Sequence, residues 1–185
     1  DMTKLTTWSG RQIDLVDPSP DDVHIVDIAT ALSRECRYAG HASHFYSVAQ
    51  HSVLCSRIVP QELAIEALLH DAAEAYIKDI PAPLKRQLPD YKEIEARFDC
   101  AIRAHFGLPE TPSPAVKEAD NILLATEVRD LFPPGSMLHE FTVAAEPMNG
   151  RIWPLAPETA KDQFMDRFNY LMRSMKDKTC ALVNG

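Results

Sequence analysis

Residues 60–77 read PQELAIEALLHDAAEAYI, and this stretch decides the fold. Leu63, Ala67, His70, Glu74 and Ile77 recur at steps of three and four. That is the period of a helix and not the alternation of a strand. Pro60 closes the segment before it and is tolerated in the first turn of the segment it opens. The spacing predicts a helix over about 61–77. Upstream, Val48, His51, Cys55 and Ile58 share a face in the same way and predict a helix over about 44–59. A connection this short makes the two helices neighbours.

Working outward, Asp21 or Asp22 reads as the cap of a helix through Val23, Ile25, Ile28, Ala29 and Leu32, broken before Gly40. The proline-rich IPAPLKRQLP (80–89) reads as a structured loop. Asp90 with Glu93 resembles a capping box opening a helix to about Phe106, ended by Gly107 and Pro109. A fifth helix spans 114–132 and stops at Pro133-Pro134-Gly135. Residues 133–156 read as a long loop. A last amphipathic helix runs from about Glu158 to Met175, with Phe164, Phe168, Leu171 and Met172 as its apolar stripe. Residues 1–20 read as an irregular arm whose Trp8, Gly10 and Arg11 pack over the core. The expected fold is all-α, a bundle of six to seven helices forming one domain over 1–185. Its core is about 21–132, and its C-terminal helix is 157–178.

Composition narrows the function classes. Hydrophobic residues at 45% and charged residues at 25% are globular values, so a packed core is expected. Six glycines against fourteen prolines suit helices with sharp stops better than a turn-rich sandwich. A net charge of -8 argues against binding a nucleic-acid polymer, which needs clustered Lys and Arg. It leaves room for a small phosphorylated ligand, because a bound cation reverses the field inside a cleft. Cys36, Cys55, Cys100 and Cys180 form no C-x-x-C pair and read as reduced thiols. No stretch is long and apolar enough for a membrane span, and DMTKLTTWSGR has no apolar run of a signal peptide. A cytoplasmic protein with no membrane partner is expected.

The chemistry-bearing residues cluster on the predicted helices. His70 and Asp71 project about 100° apart from one helix, and His51 lies on the helix beside it. Taken singly, each histidine also fits a core imidazole bonded to a carbonyl. Asp120 shares a face with Val116, Leu123, Glu127 and Leu131, a face that should be buried. A carboxylate there needs a partner, which a cation or an arginine can supply. Two imidazoles with two carboxylates suit Mn, Co, Fe, Zn or Ni and do not choose among them.

The pattern H…HD…D formed by His51, His70-Asp71 and Asp120 resembles that of the HD-domain phosphohydrolase superfamily. Arg37-Tyr38, SVAQHS around His51 and HDAAEAYIKDIPAPLK from His70 to Lys85 strengthen the likeness. The chain is similar to the branch of YfbR-like 5′-deoxynucleotidases and phage dATP triphosphohydrolases, over about residues 25–131. It lacks features of other branches: Glu74 is followed by Ala75 and not by Asp, no GYP segment is present, and no histidine-rich stretch follows His70.

The resemblance implies that His51, His70, Asp71 and Asp120 hold one divalent transition metal. It implies that Glu74 is the catalytic acid and that Asp79 is a second acidic residue, near the substrate or a second metal or Mg. Arg37 matches a phosphate- or sugar-contacting arginine, Lys85 a phosphate contact, and Tyr38 the position of a stacking aromatic. His41 matches a pocket-mouth residue. The implied activity is hydrolysis of a deoxynucleoside 5′-monophosphate or a dNTP by attack of a metal-activated water on phosphorus. A nucleotide sensor without turnover is the alternative. Relatives of this kind form homodimers or larger homo-oligomers. From the residues alone, Asp79 equally fits a turn cap before Pro81, Lys85 a surface cation, Tyr38 a core residue and Arg129-Asp130 a surface pair.

Overall fold

The structure, a computed structural model, describes residues 2–136 and 145–183, with side chains through residue 176. It is all-α, as expected. The helices are α1 (Ile25–Arg34), α2 (Val48–Ile58), α3 (Ala64–Leu69), α4 (Glu74–Ile77), α5 (Ala82–Lys85), α6 (Pro89–Phe106), α7 (Pro114–Leu131) and α8 (Pro157–Val183). Helix α2 packs against α1, α3, α7 and α8. It feeds two apolar clusters. Val53 joins Ile28, Leu32, Leu68, Phe98 and Phe164 in one. Cys55 joins Tyr46, Ala67, Leu123 and Leu131 in the other. Each large side chain fully buried this way contributes about 1.5–3 kcal/mol relative to exposure.

Several element boundaries differ from the sequence reading. The arm is not irregular: β1 (Lys4–Thr6) and β2 (Gln12–Asp14) pair antiparallel. Strands of three residues are too short for alternation to register. Gly10, at φ +81°, supplies the turn conformation that side chains disfavour. Buried Asp27 of α1 pins that turn, accepting from Thr7 Oγ1 at 2.8 Å and from Ser9 N and Oγ at 2.7 Å each. Trp8 stays exposed, with Lys161 Nζ 4.3 Å from its ring centroid.

Asp21 and Asp22 do not cap α1. They lie in a 3₁₀ turn capped by Ser19, after which Val23 and His24 are extended. Helix α2 begins at Val48 because residues 35–37 hold 46–48 in extended pairing: Val48 N donates to Glu35 O at 3.0 Å and Arg37 N to Tyr46 O at 2.9 Å. Ser47 Oγ then caps α2 by accepting from Gln50 N. Helix α6 starts at Pro89, so Asp90 and Glu93 lie inside it and no capping box forms. Gly107, left-handed at φ +65°, ends it as expected. The 80–89 loop contains the four-residue α5, and α8 runs on to Val183.

Arg129 and Asp130 are more than a surface pair. Arg129 donates to Met148 O and Gly150 O, and Asp130 Oδ2 accepts from Ile152 N at 2.8 Å. Gln50 of α2 bonds Trp153 O and Leu155 N at 2.8 and 2.9 Å. The segment leading into α8 is thereby fastened to α7 and α2. His105 donates to Pro20 O at 2.7 Å, and His24 lies 3.8 Å from Asp27. His139 lies outside the described residues. Cys36, Cys55 and Cys100 are free thiols, and the side chain of Cys180 lies outside the described set. No helix among the described residues is long and apolar enough to cross a membrane.

One buried ion pair ties the helices that carry the site. Glu66 of α3 accepts from Ser113 N and Oγ at 2.8 and 2.6 Å and from Arg103 Nη1 and Nη2 at 3.2 and 3.3 Å. Burial opposes its ionisation, but Ser113 and Arg103 outweigh that and hold the carboxyl below the usual glutamate range. A carboxylate with a depressed folded pKa stabilises the fold above its unfolded pKa and loses that effect as pH falls through the folded value. Glu66→Gln is therefore expected to cost about 1.5–3 kcal/mol at pH 7, the worth of hydrogen bonds to a charged group. Urea unfolding at pH 7 and pH 3 should show the gap to wild type narrowing in acid. A gap independent of pH would assign it to packing instead.

Candidate metal centre and cleft

Residues 70–73 do not continue α3 as one helix to residue 77. Ala72 N donates to Leu69 O at 3.0 Å, Glu74 N to Asp71 O at 3.0 Å and Ala75 N to Ala72 O at 3.2 Å. These i→i−3 bonds tighten the chain into a 3₁₀-like turn between α3 and α4. His70 and Ala73 keep right-handed helical φ/ψ on either side of the turn, which is why the sequence reads as one helix. The tight turn places His70 and Asp71 opposite α2 and α7.

Two imidazoles meet there. His51 Nε2 and His70 Nε2 are 3.3 Å apart. Asp120 Oδ1 lies 3.3 Å from His51 Nε2. His51, His70 and Asp120 each offer a ligand atom within 4.8 Å of the others, a group that can hold a metal ion. Asp71 Oδ2 is 3.5 Å from His51 Nε2 and 3.2 Å from His70 Nε2, and also 3.4 Å from Arg37 Nη1. The structure thus brings together all four residues expected at a metal.

The second nitrogen of each ring is already engaged. His51 Nδ1 donates to Glu127 Oε1 at 2.6 Å, and His70 Nδ1 donates to Ala67 O at 2.8 Å. Both Nε2 atoms are then the ones turned to the common centre. This donor set fits a borderline divalent cation. Burial opposes the charge on Asp71, but His70, His51 and Arg37 hold its carboxyl below the usual range. Burial likewise opposes Asp120, which His51 and His70 hold low. Burial and Arg37 push His51 down, but Glu127 and Asp120 outweigh them and raise the ring to about 9. Lys117 Nζ donates to Asp120 Oδ2 at 2.7 Å from an exposed position.

Glu74 opens α4 and is 7% exposed. Its Oε2 has no hydrogen-bond partner among the described residues. Burial, Asp71 and Asp79 push its carboxyl well above the usual range. Burial also raises Asp79. Lys78, between them, adopts φ 78° and ψ 154°, a region a side chain rarely occupies. Its Nζ donates to Glu35 at 2.8 Å and its carbonyl accepts from Tyr91 at 2.6 Å, which hold that conformation.

Relatives place the chain beside these observations. No family model matches it. It is 53% identical over 178 residues to the uncharacterized protein YfdR of Escherichia coli (strain K12), spanning 95% of this chain and 99% of the relative. The chain belongs to the YfdR family. An uncharacterized protein of Rhodobacter capsulatus is 35% identical over 137 residues, spanning 66% of this chain and 70% of that relative.

In this YfdR-family chain a cleft of about 500 Å³ opens over the centre. Arg37, Tyr38, His41, Asp79 and Lys85 all line it, with Phe132 completing one wall. Its volume is that of an ordinary small-molecule site. Lys85 also pairs with Glu95 at 2.6 Å, so it is not a free surface cation. Tyr38 and Ala39 are left-handed at φ 57° and 49°, a conformation costing about 1–3 kcal/mol for each such residue. The Tyr38 hydroxyl donates to Glu127, and the ring meets Phe132 edge-on at 5.0 Å. A second cleft of about 390 Å³ shares Asp71, Glu74, Lys85, Lys117 and Asp120 with the first and adds Lys92, Glu95, Asp99 and Arg103.

Sequence reasoning placed Glu127 on the Asp120 face but gave it no part in the site. The signal was available: a carboxylate seven residues after Asp120 lies two turns along the same buried face. Lys117, one turn before Asp120, was readable in the same way. Phe132 carried no such signal, because it lies beyond the end of α7 and meets the cleft through Tyr38.

Proposed function

We propose that the chain is a divalent-metal-dependent phosphohydrolase of the HD-domain superfamily, acting on a deoxynucleoside 5′-monophosphate or a dNTP. The observation that carries this reading is the convergence of His51, His70, Asp71 and Asp120 beneath a cleft walled by Arg37 and by the buried, unpartnered Glu74. A divalent cation held by those four residues would lower the pKa of water and offset charge at phosphorus. Arg37, whose Nη1 faces Asp71, is placed to take a phosphate oxygen. Glu74 orients the attacking water and relays its proton, a role suited to a carboxyl whose pKa burial has raised. Lys85, which lines the same cleft, is the second group for the phosphate. Tyr38 offers its ring to the sugar or base. Asp79 faces the sugar, and a second cation would take its ligands from Asp79 and Glu74.

The direct test is phosphate release across dNMPs and dNTPs with Mn²⁺, Co²⁺ or Mg²⁺. Inorganic phosphate from monophosphates is expected for a nucleotidase, and triphosphate from dNTPs for the alternative leaving group. No release from any nucleotide by metal-loaded protein would overturn the assignment.

A further inference from the structure

Glu127 is fully buried on α7, yet four groups converge on its carboxylate. Oε1 accepts from His51 Nδ1 at 2.6 Å and from the Tyr46 hydroxyl at 2.9 Å. Oε2 accepts from the Tyr38 hydroxyl and lies 3.3 Å from Arg37 Nε. One of these groups belongs to the metal cluster, two line the cleft, and the fourth is packed in the core. A buried carboxylate needs several partners in any role, as Glu66 shows with Ser113 and Arg103. Glu127 differs in where its partners sit. This one reaches both halves of the site.

We infer that Glu127 is a positioning residue that sets the metal centre with one oxygen and the cleft wall with the other. This rests on the metal-dependent reading above. Oε1 fixes the His51 ring so that the proton stays on Nδ1 and Nε2 faces the cluster, and it strengthens that nitrogen as a donor to metal. Oε2 holds Arg37 and Tyr38 in the left-handed turn at 38–39, which no glycine relieves. Phosphate-binding and metal-binding groups therefore keep their relative positions through one side chain.

The test uses Co²⁺ as probe and follows its visible absorption, without reliance on turnover. Glu127→Gln keeps the size but places an amide against donors. Co²⁺ affinity is expected to fall about 10–100-fold, with an altered spectrum, as for loss of an outer partner of a metal-bound histidine. Glu127→Asp, which keeps the charge, should recover part of both. Because Glu127→Gln leaves Arg37 short of its partner and can fail to fold, ring ¹⁵N shifts of His51 in Zn²⁺-loaded wild type supply a second reading. A proton on Nδ1 and metal at Nε2 are expected. Unchanged Co²⁺ affinity and spectrum in Glu127→Gln, or metal at Nδ1, would overturn the inference and leave the metal reading standing. Wild type that binds no Co²⁺ would overturn both.

Discussion

His70→Ala should lose Co²⁺ affinity by more than about 100-fold, beyond the loss typical of an outer-partner mutation, and lose phosphohydrolase activity with it. The expectation follows from geometry. His70 Nε2 lies 3.3 Å from His51 Nε2 and 3.2 Å from Asp71 Oδ2, so its removal opens one side of the donor set. The remaining imidazole and two carboxylates would form a weaker, more oxygen-rich site for a borderline cation. His70 is the better choice than His51 for this test. The His51 side chain is wholly buried and bonds Glu127, so alanine there leaves a core cavity and takes one donor from a buried carboxylate. His70 is 12% exposed at its side chain, and outside the cluster it gives up its bond to Ala67 O. Spectroscopic Co²⁺ titration, with circular dichroism to confirm the fold, decides it. Wild-type affinity in His70→Ala would remove this cluster as the metal centre.

The parts of this arrangement that were legible in the sequence are those set by periodicity within one element. The steps through Val116, Leu123 and Leu131 mark a buried face correctly, because a helix repeats its surface every few residues, whereas the segment from Ala64 to Tyr76 is buried nearly all round and the stripe through His70 does not single out its inner face. Boundaries set by long-range pairing were not legible. Nothing local to HFYS announces that residues 35–37 hold 46–48 extended and delay α2 to Val48. The turn at 70–73 was equally hidden, since His70 and Ala73 keep helical φ/ψ through its i→i−3 bonds. Glu127 illustrates the same limit at the site. Its place on the Asp120 face was readable, but the three donors and one cation around it come from three separate segments that only the tertiary fold assembles. The hairpin arm was missed because Asp27, twenty residues from Thr7, is what fixes it.

Glu74→Gln is expected to reduce turnover by roughly 10²–10⁴-fold, the range for a positioned acid or base, while Co²⁺ affinity stays near wild type. Glutamine keeps the shape of the side chain and removes its capacity to move a proton. Stability should move the opposite way. The Glu74 carboxyl is buried, faces Asp71 and Asp79, and has an oxygen with no partner among the described residues. Its pKa is raised in the folded protein, so at neutral pH the unfolded chain ionises more easily and ionisation draws the equilibrium toward unfolding. Removing the charge relieves that strain. Metal-free Glu74→Gln should therefore unfold at higher urea than metal-free wild type at pH 7, with the difference shrinking as pH falls from the raised folded pKa toward the unfolded glutamate pKa and gone below it. Such a stability gain with activity loss is the signature of a side chain kept for chemistry against the interest of the fold. A variant that is destabilised yet fully active would mark Glu74 as a packing residue, and one that keeps both wild-type turnover and metal affinity would remove it from the mechanism.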